Sequence, residues 1–452
     1  MARRALAVVL AAGEGTRMKS DLPKVLHPIA NRPMVCHVIA ACREAGIEDV
    51  AVVVGSEAEL VERVIAAQFD DITFHRQTEQ RGTAHAVLCA RDAICAHHDE
   101  IVVLFGDVPL ISPEAIETLR DAVRDGAHLA VLGFETDDPH GYGRLVIEDG
   151  TLVRIVEERD ANEKERLIGL CSSGLMAFAG ADALPLLDAV ESHNAQNEFY
   201  LPDTVAIAHG KGLRADAVRG EEEQTLGVND RVQLADREAR WQRRARDAAM
   251  RAGVSMQAPE TVWLSADTRL ARDVHIEPNV WIGPGTSVGR GTRLRAGTHL
   301  EGATIGADCE IGPYARLRPG ADLRDGVKVG NFVEAKKSVL REGSKVNHLT
   351  YVGDSDVGAR ANIGAGVVTA NYDGYGKYRT IIEDQAFVGT NSTLVAPVTV
   401  GARANIAAGS VITNDVPADS LSFGRARQID KEGRARTFRE DAAKRKAASN
   451  PK

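Results

Sequence analysis

Residues 276–294 read IEPNVWIGPGTSVGRGTRL, and in this stretch an aliphatic residue returns at every sixth position. A period of six fits neither an α-helix nor an alternating strand. It predicts a parallel β-helix, in which each hexapeptide forms one flat side of a coil and points its aliphatic residue inward. With one residue skipped before Ile305, the repeat comprises Ile276, Ile282, Val288, Leu294, Leu300, Ile305, Ile311, Leu317, Leu323 and Val329, and then Val388, Leu394, Val400, Ile406 and Ile412.

The repeat also predicts the size of this solenoid and the position of a loop. Three sides make a coil of about 18 residues, so about 150 residues form about eight coils. The period breaks over residues 371–378, which contain three of the seven tyrosines. Because insertions in a solenoid map to loops, often on the binding face, we expect this loop to belong to a functional site.

The amino-terminal half shows short apolar runs that alternate with helical stretches. Strands are predicted at 5–10, 50–54, 101–104 and 129–134, and helices at 35–45, 57–67, 84–93 and 113–123. Apolar strands separated by helices indicate an α/β domain with a Rossmann-like, mainly parallel sheet. The charged stretch 229–252 predicts a long connecting helix. The predicted domains are therefore 1–228, a linker helix at 229–252, and 253–452 with its basic tail.

Composition limits the classes of function. The 452 residues carry a formal charge of −9, which argues against non-specific nucleic-acid binding. Six scattered cysteines without a metal-like spacing are typical of reduced thiols in a cytoplasmic protein. No apolar run approaches the roughly 18 residues that a membrane span needs. Arg3 and Arg4 before an apolar run could mimic a signal peptide, but a buried strand that enters a glycine loop explains the same residues better.

The carboxyl-terminal segment is a local exception to the negative charge. Residues 425–452 contain ten Lys or Arg and four Asp or Glu. Two readings stay open, a solvated tail or an arm that completes a site for a polyanionic ligand.

The loop after the first strand contains the first chemical motif. It reads LAAGEGTR at residues 10–17, and Lys24 follows Arg17 after six intervening residues. Glycines let backbone N–H groups approach a phosphate, and the two cations supply charge for a triphosphate. The spacing is neither the Rossmann nor the Walker pattern. With QRGTAHA at 80–86, FGDVP at 105–109, GYGR at 141–144 and GVN at 227–229, it resembles the signature of sugar-1-phosphate nucleotidyltransferases.

That resemblance implies a set of site residues. Arg17 and Lys24 would bind phosphates in catalysis, and Asp107 and Asn229 would hold Mg²⁺. Phe105, Ser172 and Glu14 depart from the tyrosine, asparagine and lysine that the family commonly has, and the shorter serine reaches less far toward the sugar. The implied nucleotide and sugar contacts are Leu10, Ala11, Ala12, Gly13, Lys24, Gln77, Gly82, Thr83, Phe105, Gly106, Asp107, Gly143, Glu157, Ser172 and Asn229.

The solenoid carries a second group of motifs. They read PYARLRPG at 313–320, GNFVEAKK at 330–337, NHLTYVGD at 347–354, NIGAG at 362–366 and ANYDG at 370–374. These resemble the acetyltransferase half of the bacterial family of bifunctional N-acetylglucosamine-1-phosphate uridyltransferase/glucosamine-1-phosphate N-acetyltransferase enzymes. The resemblance covers nearly the whole chain. It implies a left-handed parallel β-helix, and a homotrimer that shares its acetyl-transfer sites between subunits.

The same resemblance assigns roles in the solenoid. Acetyl transfer to an amine needs a base, and a neutral histidine suits that role near pH 7, so His348 is the candidate. The implied sugar-phosphate contacts are Arg318, Lys336, Tyr351 and Asn362. The implied acetyl-CoA contacts are Ala365, Asn371, Tyr372, Thr390, Ala408 and Arg425, with the basic tail closing over the CoA phosphates.

The predicted function is the synthesis of UDP-N-acetylglucosamine, a cell-wall precursor, in two steps. Acetyl-CoA would acetylate glucosamine-1-phosphate in the solenoid, and UTP would then react with N-acetylglucosamine-1-phosphate in the first domain. One alternative is another sugar-1-phosphate nucleotidyltransferase whose β-helix only assists assembly, and His348 disfavours it. The other is a catalytically silent regulatory subunit, which the set of Arg17, Lys24, Asp107 and Asn229 disfavours.

Overall fold

A computed structural model describes residues 3–192 and 197–449 of the chain. By its internal contacts the chain divides into two compact units, Met1–Ala248 with Leu264–Ala266, and Ala249–Trp263 with Asp267–Lys452. The cut falls inside a long helix, Arg231–Arg251, and not at either of its ends.

The first unit is an α/β fold around one mixed sheet. Its strands are β1 (Ala5–Ala11), β2 (Pro28–Ile29), β3 (Arg32–Pro33), β4 (Asp49–Val54), β5 (Ile72–Arg76), β6 (Glu100–Phe105), β7 (Leu129–Glu135), β8 (Gly143–Glu148), β9 (Thr151–Val156), β10 (Leu170–Ala179) and β11 (Ala215–Arg219). The sheet runs β11-β7-β10-β6-β1-β4-β5, with the β8–β9 hairpin beside β10 and the β2–β3 ribbon separate.

Helices cover this sheet. They are α1 (Met34–Glu44), α2 (Ala58–Ala66), α3 (Thr83–Cys89), α4 (Arg91–Ile94), α5 (Pro113–Arg124), α6 (Gly180–Leu187), α7 (Asp203–Gly210), α8 (Glu222–Thr225) and α9 (Arg231–Arg251). Short 3-10 turns occur at Thr16–Met18, Lys24–Leu26 and Glu165–Leu167. Ser112 caps α5 by accepting a hydrogen bond from the Ala115 N–H at 3.2 Å, and Pro113 begins that helix.

The central strand shows why the apolar runs form sheet. Residues Ala5, Ala7, Val9 and Ala11 of β1 pack in one hydrophobic cluster, and Leu6, Val8 and Leu10 pack in another. Successive side chains of a strand point to opposite faces, so a strand that is buried on both faces must be apolar at every position. All four predicted strands are therefore confirmed, and β1 pairs in parallel with β4 and β6.

Two features of this unit differ from the sequence prediction. The predicted helix at 84–93 is two helices, α3 and α4, which break at Ala90 (φ −92°, ψ 20°). Strand β10 was not predicted, and it runs antiparallel to both β6 and β7. Its register with β7 shifts between Ser172 and Met176, a bulge that falls next to the predicted sugar contacts.

The second unit is a left-handed β-helix of hexapeptide repeats with three flat faces. The first face contains Ser255–Met256, His275–Ile276, Arg293–Leu294, Glu310–Ile311, Lys328–Asn331, Lys345–His348, Asn362–Ile363, Phe387–Val388, Asn405–Ile406 and Leu421–Ser422. The second contains Trp263–Leu264, Trp281–Ile282, His299–Leu300, Arg316–Leu317, Glu334–Lys336, Tyr351–Gly353, Val368–Ala370, Thr393–Val395 and Val411–Ile412. The third contains Arg269–Leu270, Ser287–Val288, Ala303–Ile305, Ala321–Leu323, Val339–Leu340, Ser355–Val357, Thr380–Ile382 and Val398–Val400. A 3-10 turn, Pro259–Thr261, lies between the first two strands, and helix α10 (Arg434–Ser449) follows the β-helix.

The sixfold register is confirmed. Every aliphatic residue of the repeat is buried, from Ile276 at 0% exposure to Ile412 at 6%. Strands occupy all three faces in eight successive coils, as the repeat predicts, and shorter pieces follow. The break over 371–378 is an insertion between Val368–Ala370 and Thr380–Ile382.

The second to ninth coils turn from the first to the second face through a left-handed residue. The φ angles at this corner lie between 50° and 74°, in the region that favours glycine and asparagine. Three successive coils instead have large apolar residues there, Tyr314, Phe332 and Leu349, each more than half exposed. The Tyr314 and Phe332 rings stack at 5.6 Å between centroids. The corner residues are Asn279, Gly297, Tyr314, Phe332, Leu349, Gly366, Asn391 and Gly409.

Two further observations concern the cysteines and the helices of the described residues. All six cysteines are free thiols. Within residues 3–192 and 197–449, no helix combines the length and the apolar character that a membrane crossing requires.

The inward ladder predicts where the solenoid is sensitive to mutation. Leu317 is fully buried, so Leu317→Ala should destabilise the protein by about 2–5 kcal/mol through lost burial and a residual cavity. Leu421, which is 61% exposed, provides the matched control, and Leu421→Ala should change stability by less than about 0.5 kcal/mol. Urea unfolding followed by far-UV circular dichroism measures both, and equal effects would contradict the inward assignment.

Candidate active sites

The first candidate site lies at the carboxyl ends of β1 and β6. The Gly106 N–H donates to the Leu10 carbonyl at 2.9 Å, which joins the two strand ends. A cavity of about 310 Å³ opens beside them. It is lined by predicted residues and four others, namely Leu10, Ala12, Gly13, Lys24, Val25, Gln77, Gln80, Gly82, Thr83, Ala86, Phe105, Asp107 and Glu198.

Two pairs of charged and polar groups lie at the predicted phosphate and metal end. Lys24 Nζ donates to Asp107 Oδ2, and Arg17 Nη2 donates to Asn229 Oδ1 at 2.9 Å. The Val228 N–H donates to the Asp107 carbonyl at 2.9 Å, so the segment before Asn229 is tied to Asp107. A carboxylate and a carboxamide oxygen are ligands of the type that Mg²⁺ takes, and the donor set therefore fits that ion.

A second cavity of about 540 Å³ is lined by Glu157, one of the predicted sugar contacts, but not by Gly143 or Ser172. Thr83, Phe105 and Glu198 line it as well as the first cavity, so the two are continuous along the sheet edge. A Cβ atom built on Gly143 would lie 3.0 Å from Ile155 Cγ2 and 3.3 Å from Glu157 Oε1, so a larger residue there would have to displace these neighbours. Burial, together with the nearby Asp160 and Asp203 carboxylates, raises the pKa of Glu157.

Ser172 is placed beside the same segments. It pairs with Gly143 across β10 and β8, and its Oγ accepts a hydrogen bond from the Gly174 N–H at 3.1 Å. The serine hydroxyl is therefore used within its own strand. Ala11 is the last residue of β1, and Gly106 directly follows β6. Arg17 and Asn229 do not line either cavity.

The second candidate site is a column of residues along the solenoid. Strand register places His348, Ala365, Thr390 and Ala408 at equivalent positions of four successive coils, and Asn331 precedes them. Similar hydrogen bonds join successive coils of the column. The Asn391 N–H donates to the Ala365 carbonyl at 2.7 Å, and the Gly409 N–H donates to the Thr390 carbonyl at 2.8 Å. Adjacent strands lie about 4.8 Å apart. Four such steps lead from the His348 strand to Leu421–Ser422, the strand just before Arg425, which is a distance of about 19 Å.

His348 is exposed and held at one nitrogen. Its Nδ1 donates to Asn331 Oδ1 at 2.6 Å, so the lone pair of the neutral ring is on Nε2. The Thr350 hydroxyl donates to the His348 carbonyl at 2.6 Å, which fixes the backbone at this corner. The sequence prediction did not include Asn331, because its pairing with His348 follows from the coil register alone.

Cations converge around Tyr351, three residues after this histidine. Arg318 Nη1 donates to Glu334 Oε1 at 2.7 Å, and Glu334 pairs in register with Tyr351. The charges of Lys377 and Arg318 lower the pKa of Lys336, the first of these being the larger effect. Lys377 belongs to the insertion and was missed by the sequence prediction, although it is the one lysine of the 371–378 break.

The remaining predicted acetyl-CoA contacts lie at the insertion and beyond. Asn371 Nδ2 donates to an Asp354 carboxylate oxygen, and the Tyr372 hydroxyl donates to the Gly374 carbonyl at 2.6 Å. Asn362 lies on the first face, one coil after Lys345. Arg425 is exposed, and its Cδ would be 3.7 Å from a Cβ built on Gly409.

Comparisons with known proteins match both units. Residues 7–199 match the MobA-like NTP transferase domain, and residues 379–414 match the bacterial transferase hexapeptide (six repeats). The protein named bifunctional protein GlmU from Brucella canis is 58% identical over 99% of this chain and 99% of its own length. The GlmU proteins of Rhizobium johnstonii and Agrobacterium fabrum are 56% and 52% identical and cover 100% and 99% of both chains. The chain belongs to the bifunctional GlmU family.

Membership in the GlmU family applies to both candidate sites, because the matched lengths include both units. The contacts of Arg144 are also notable, because the sequence analysis quoted this residue in a motif but gave it no role. Arg144 is 1% exposed, and its guanidinium donates to the Tyr142 carbonyl and to Glu158. It thereby joins the turn before Gly143 to the turn that carries Glu157.

Adjacent glutamates in this GlmU-family site should affect stability in opposite directions. The folded protein raises the pKa of Glu157 above the ordinary 4.5 and lowers that of Glu158, where Arg144 is the first cause. Above pH 4.5 the Glu157 charge therefore opposes folding, whereas the Glu158 charge favours it.

At pH 7.5, Glu157→Gln should raise the melting temperature and Glu158→Gln should lower it. Both differences should shrink as pH falls through the folded pKa of each group, because wild type then also carries the neutral acid. Differential scanning fluorimetry from pH 3 to 8 measures this, and shifts of the same sign at pH 7.5 would contradict the assigned causes.

Proposed function

We propose that the chain is a bifunctional enzyme that makes UDP-N-acetylglucosamine in the cytoplasm of its source cell. Residues 253–452 transfer an acetyl group from acetyl-CoA to glucosamine-1-phosphate. Residues 1–228 then transfer a uridylyl group from UTP to N-acetylglucosamine-1-phosphate and release pyrophosphate, and residues 229–252 link the two domains. The observation that supports this most strongly is the match to GlmU proteins over almost the full length of both chains.

Uridylyl transfer uses the first site. An oxygen of the sugar phosphate attacks the α-phosphorus of UTP, and pyrophosphate leaves with the electrons of the broken bond. Lys24 and Arg17 bind phosphate oxygens and offset the charge that develops on them. Glu157 accepts hydrogen bonds from sugar hydroxyls, at a position that Gly143 keeps open.

Asp107 and Asn229 would hold Mg²⁺ in this site. When bound, the ion neutralises charge on the nucleotide phosphates. Lys24 and Arg17 contact one side-chain oxygen each of Asp107 and Asn229, so these cations are within reach of the proposed metal position.

Acetyl transfer uses the column in the solenoid. The amine nitrogen of the sugar attacks the thioester carbon, His348 Nε2 accepts the amine proton, and the CoA thiolate leaves. Arg318, Lys336 and Lys377 bind the sugar phosphate, with Tyr351 and Asn362 beside the sugar. Ala365, Thr390 and Ala408 are small, so they leave a groove for the cosubstrate arm from His348 toward Arg425, and Asn371 and Tyr372 flank it.

Assembly into a homotrimer is part of the proposal. The exposed apolar ridge of Tyr314, Phe332 and Leu349 lies at the corner next to His348, where a second copy would cover it. Every residue from Arg425 to Ser449 except Ala442 is exposed, and the net positive charge of this segment suits the CoA phosphates.

A paired assay tests the two activities. With acetyl-CoA, glucosamine-1-phosphate, UTP and Mg²⁺, the purified protein should release both free thiol and pyrophosphate. His348→Ala should reduce thiol release by about 100-fold or more, because the base is lost, and leave pyrophosphate release from N-acetylglucosamine-1-phosphate within twofold. Absence of both products from wild type would overturn the proposed function, and retention of thiol release in His348→Ala would exclude His348 as the base.

The groove makes a separate prediction. Ala408→Trp should raise KM for acetyl-CoA about tenfold or more, since the indole would fill the column, while uridylyl transfer is unchanged. Ala418→Trp is the control, because Ala418 is also exposed and precedes a left-handed residue, Asp419, at another edge of the solenoid. Steady-state kinetics with varied acetyl-CoA distinguish them, and an unchanged KM in Ala408→Trp would remove the groove from this column.

A further inference from the structure

The amide of Gln77 is held by two neighbours at the base end of the first cavity. Gln77 follows β5, is 7% exposed, and its backbone N–H donates to the Val54 carbonyl at 2.8 Å. Its side-chain Nε2 lies 3.3 Å from the Gly82 carbonyl oxygen and 3.1 Å from His85 Nδ1.

These contacts allow only one orientation of the amide. A carbonyl oxygen accepts and cannot donate, so the group that faces Gly82 must be the NH₂ end of Gln77. The second N–H of that group points to His85 Nδ1, which accepts it when the ring proton is on Nε2. A reversed amide would place its oxygen against the Gly82 oxygen, and no tautomer of His85 would relieve that contact.

The consequence is that only an acceptor, Gln77 Oε1, is left for a ligand. Gln77 lines the same cavity as Asp107 and Lys24, so a base bound there meets this oxygen. Uracil has an N–H donor at N3, whereas cytosine has an acceptor at that position. An amide fixed with its oxygen toward the base therefore pairs with uracil and repels cytosine, and an amide free to rotate could pair with either.

We propose that His85 is a positioning residue for pyrimidine selectivity, which it exerts by holding the Gln77 amide with its oxygen toward the base. The inference rests on the proposed uridylyl transfer. His85 does not touch the reacting phosphates, and it lines neither cavity described above.

Hydrogen bonds hold the backbone around His85, and they fix the position of its ring relative to the Gln77 amide. Two hydrogen bonds hold the start of helix α3. The Ala84 N–H donates to the Phe199 carbonyl at 2.9 Å, and the Leu201 N–H donates to Thr83 Oγ1 at 2.9 Å. Gly82 precedes the helix with φ of 110°, and a Cβ atom there would lie 2.5 Å from the Phe199 oxygen. The Gly82 carbonyl and the His85 ring are thus presented to Gln77 by the same short helix.

Three substitutions separate the acceptor from the volume of the ring. His85→Ala removes both, His85→Phe keeps a ring without an acceptor, and His85→Asn can place an amide oxygen near the Nδ1 position. For each, kcat and KM are measured for pyrophosphate release with UTP and with CTP, and thiol release by the solenoid is measured in the same preparation as a check on integrity.

The ratio of kcat/KM for UTP over CTP should fall about tenfold in His85→Ala and His85→Phe, mainly through a higher KM for UTP, with kcat for UTP within about threefold. His85→Asn should recover most of the ratio. An unchanged ratio in His85→Ala and His85→Phe, or an equal loss in all three variants, would overturn the positioning role. Absence of pyrophosphate release from UTP in wild type would instead overturn the proposed function, so the two failures are distinguishable.

Discussion

The second unit depends on the stacking of one coil on the next in strict register. Each inward aliphatic residue lies on its counterpart a coil away, and burial of that ladder fixes which outward residues become neighbours. Residues 17 to 25 positions apart in sequence, such as His348, Ala365 and Thr390, are therefore one strand spacing apart in space. The column proposed for acetyl transfer is a consequence of this packing and needs no separate scaffold.

The sequence predicted the parts of the fold that have a strong local cause. The sixfold ladder was visible because every inward position must be aliphatic, and β1 was visible because both of its faces are buried. Strand β10 was missed because Ser172, Ser173 and Gly174 interrupt its apolar residues. The break at Ala90 was missed because alanine is a good helix former, so the local sequence carries no signal for a break there.

The candidate sites divide in the same way. Motif residues such as Lys24, Asp107 and His348 could be named from their sequence context. Their partners could not, because the contacts of Asn331 with His348, Glu334 with Arg318 and Lys377 with Lys336 depend on which coils are adjacent and where the insertion folds back. Arg144 and His85 stand within quoted motifs, yet their roles follow from hydrogen-bond partners that only the folded sheet brings together.

The column has a further consequence, because a β-helix sets distances along its axis in fixed steps. Its only variable along the axis is the number of coils, so the separation between His348 and the coil before Arg425 comes in steps of about 4.8 Å and not continuously. Loss or duplication of a coil between them would leave the core and both ends intact, but it would change by one step the distance between the proposed base and the proposed terminal contact of acetyl-CoA. Under the proposed function, the length of acetyl-CoA therefore constrains the number of repeats in this part of the chain, independently of what each repeat contributes to stability.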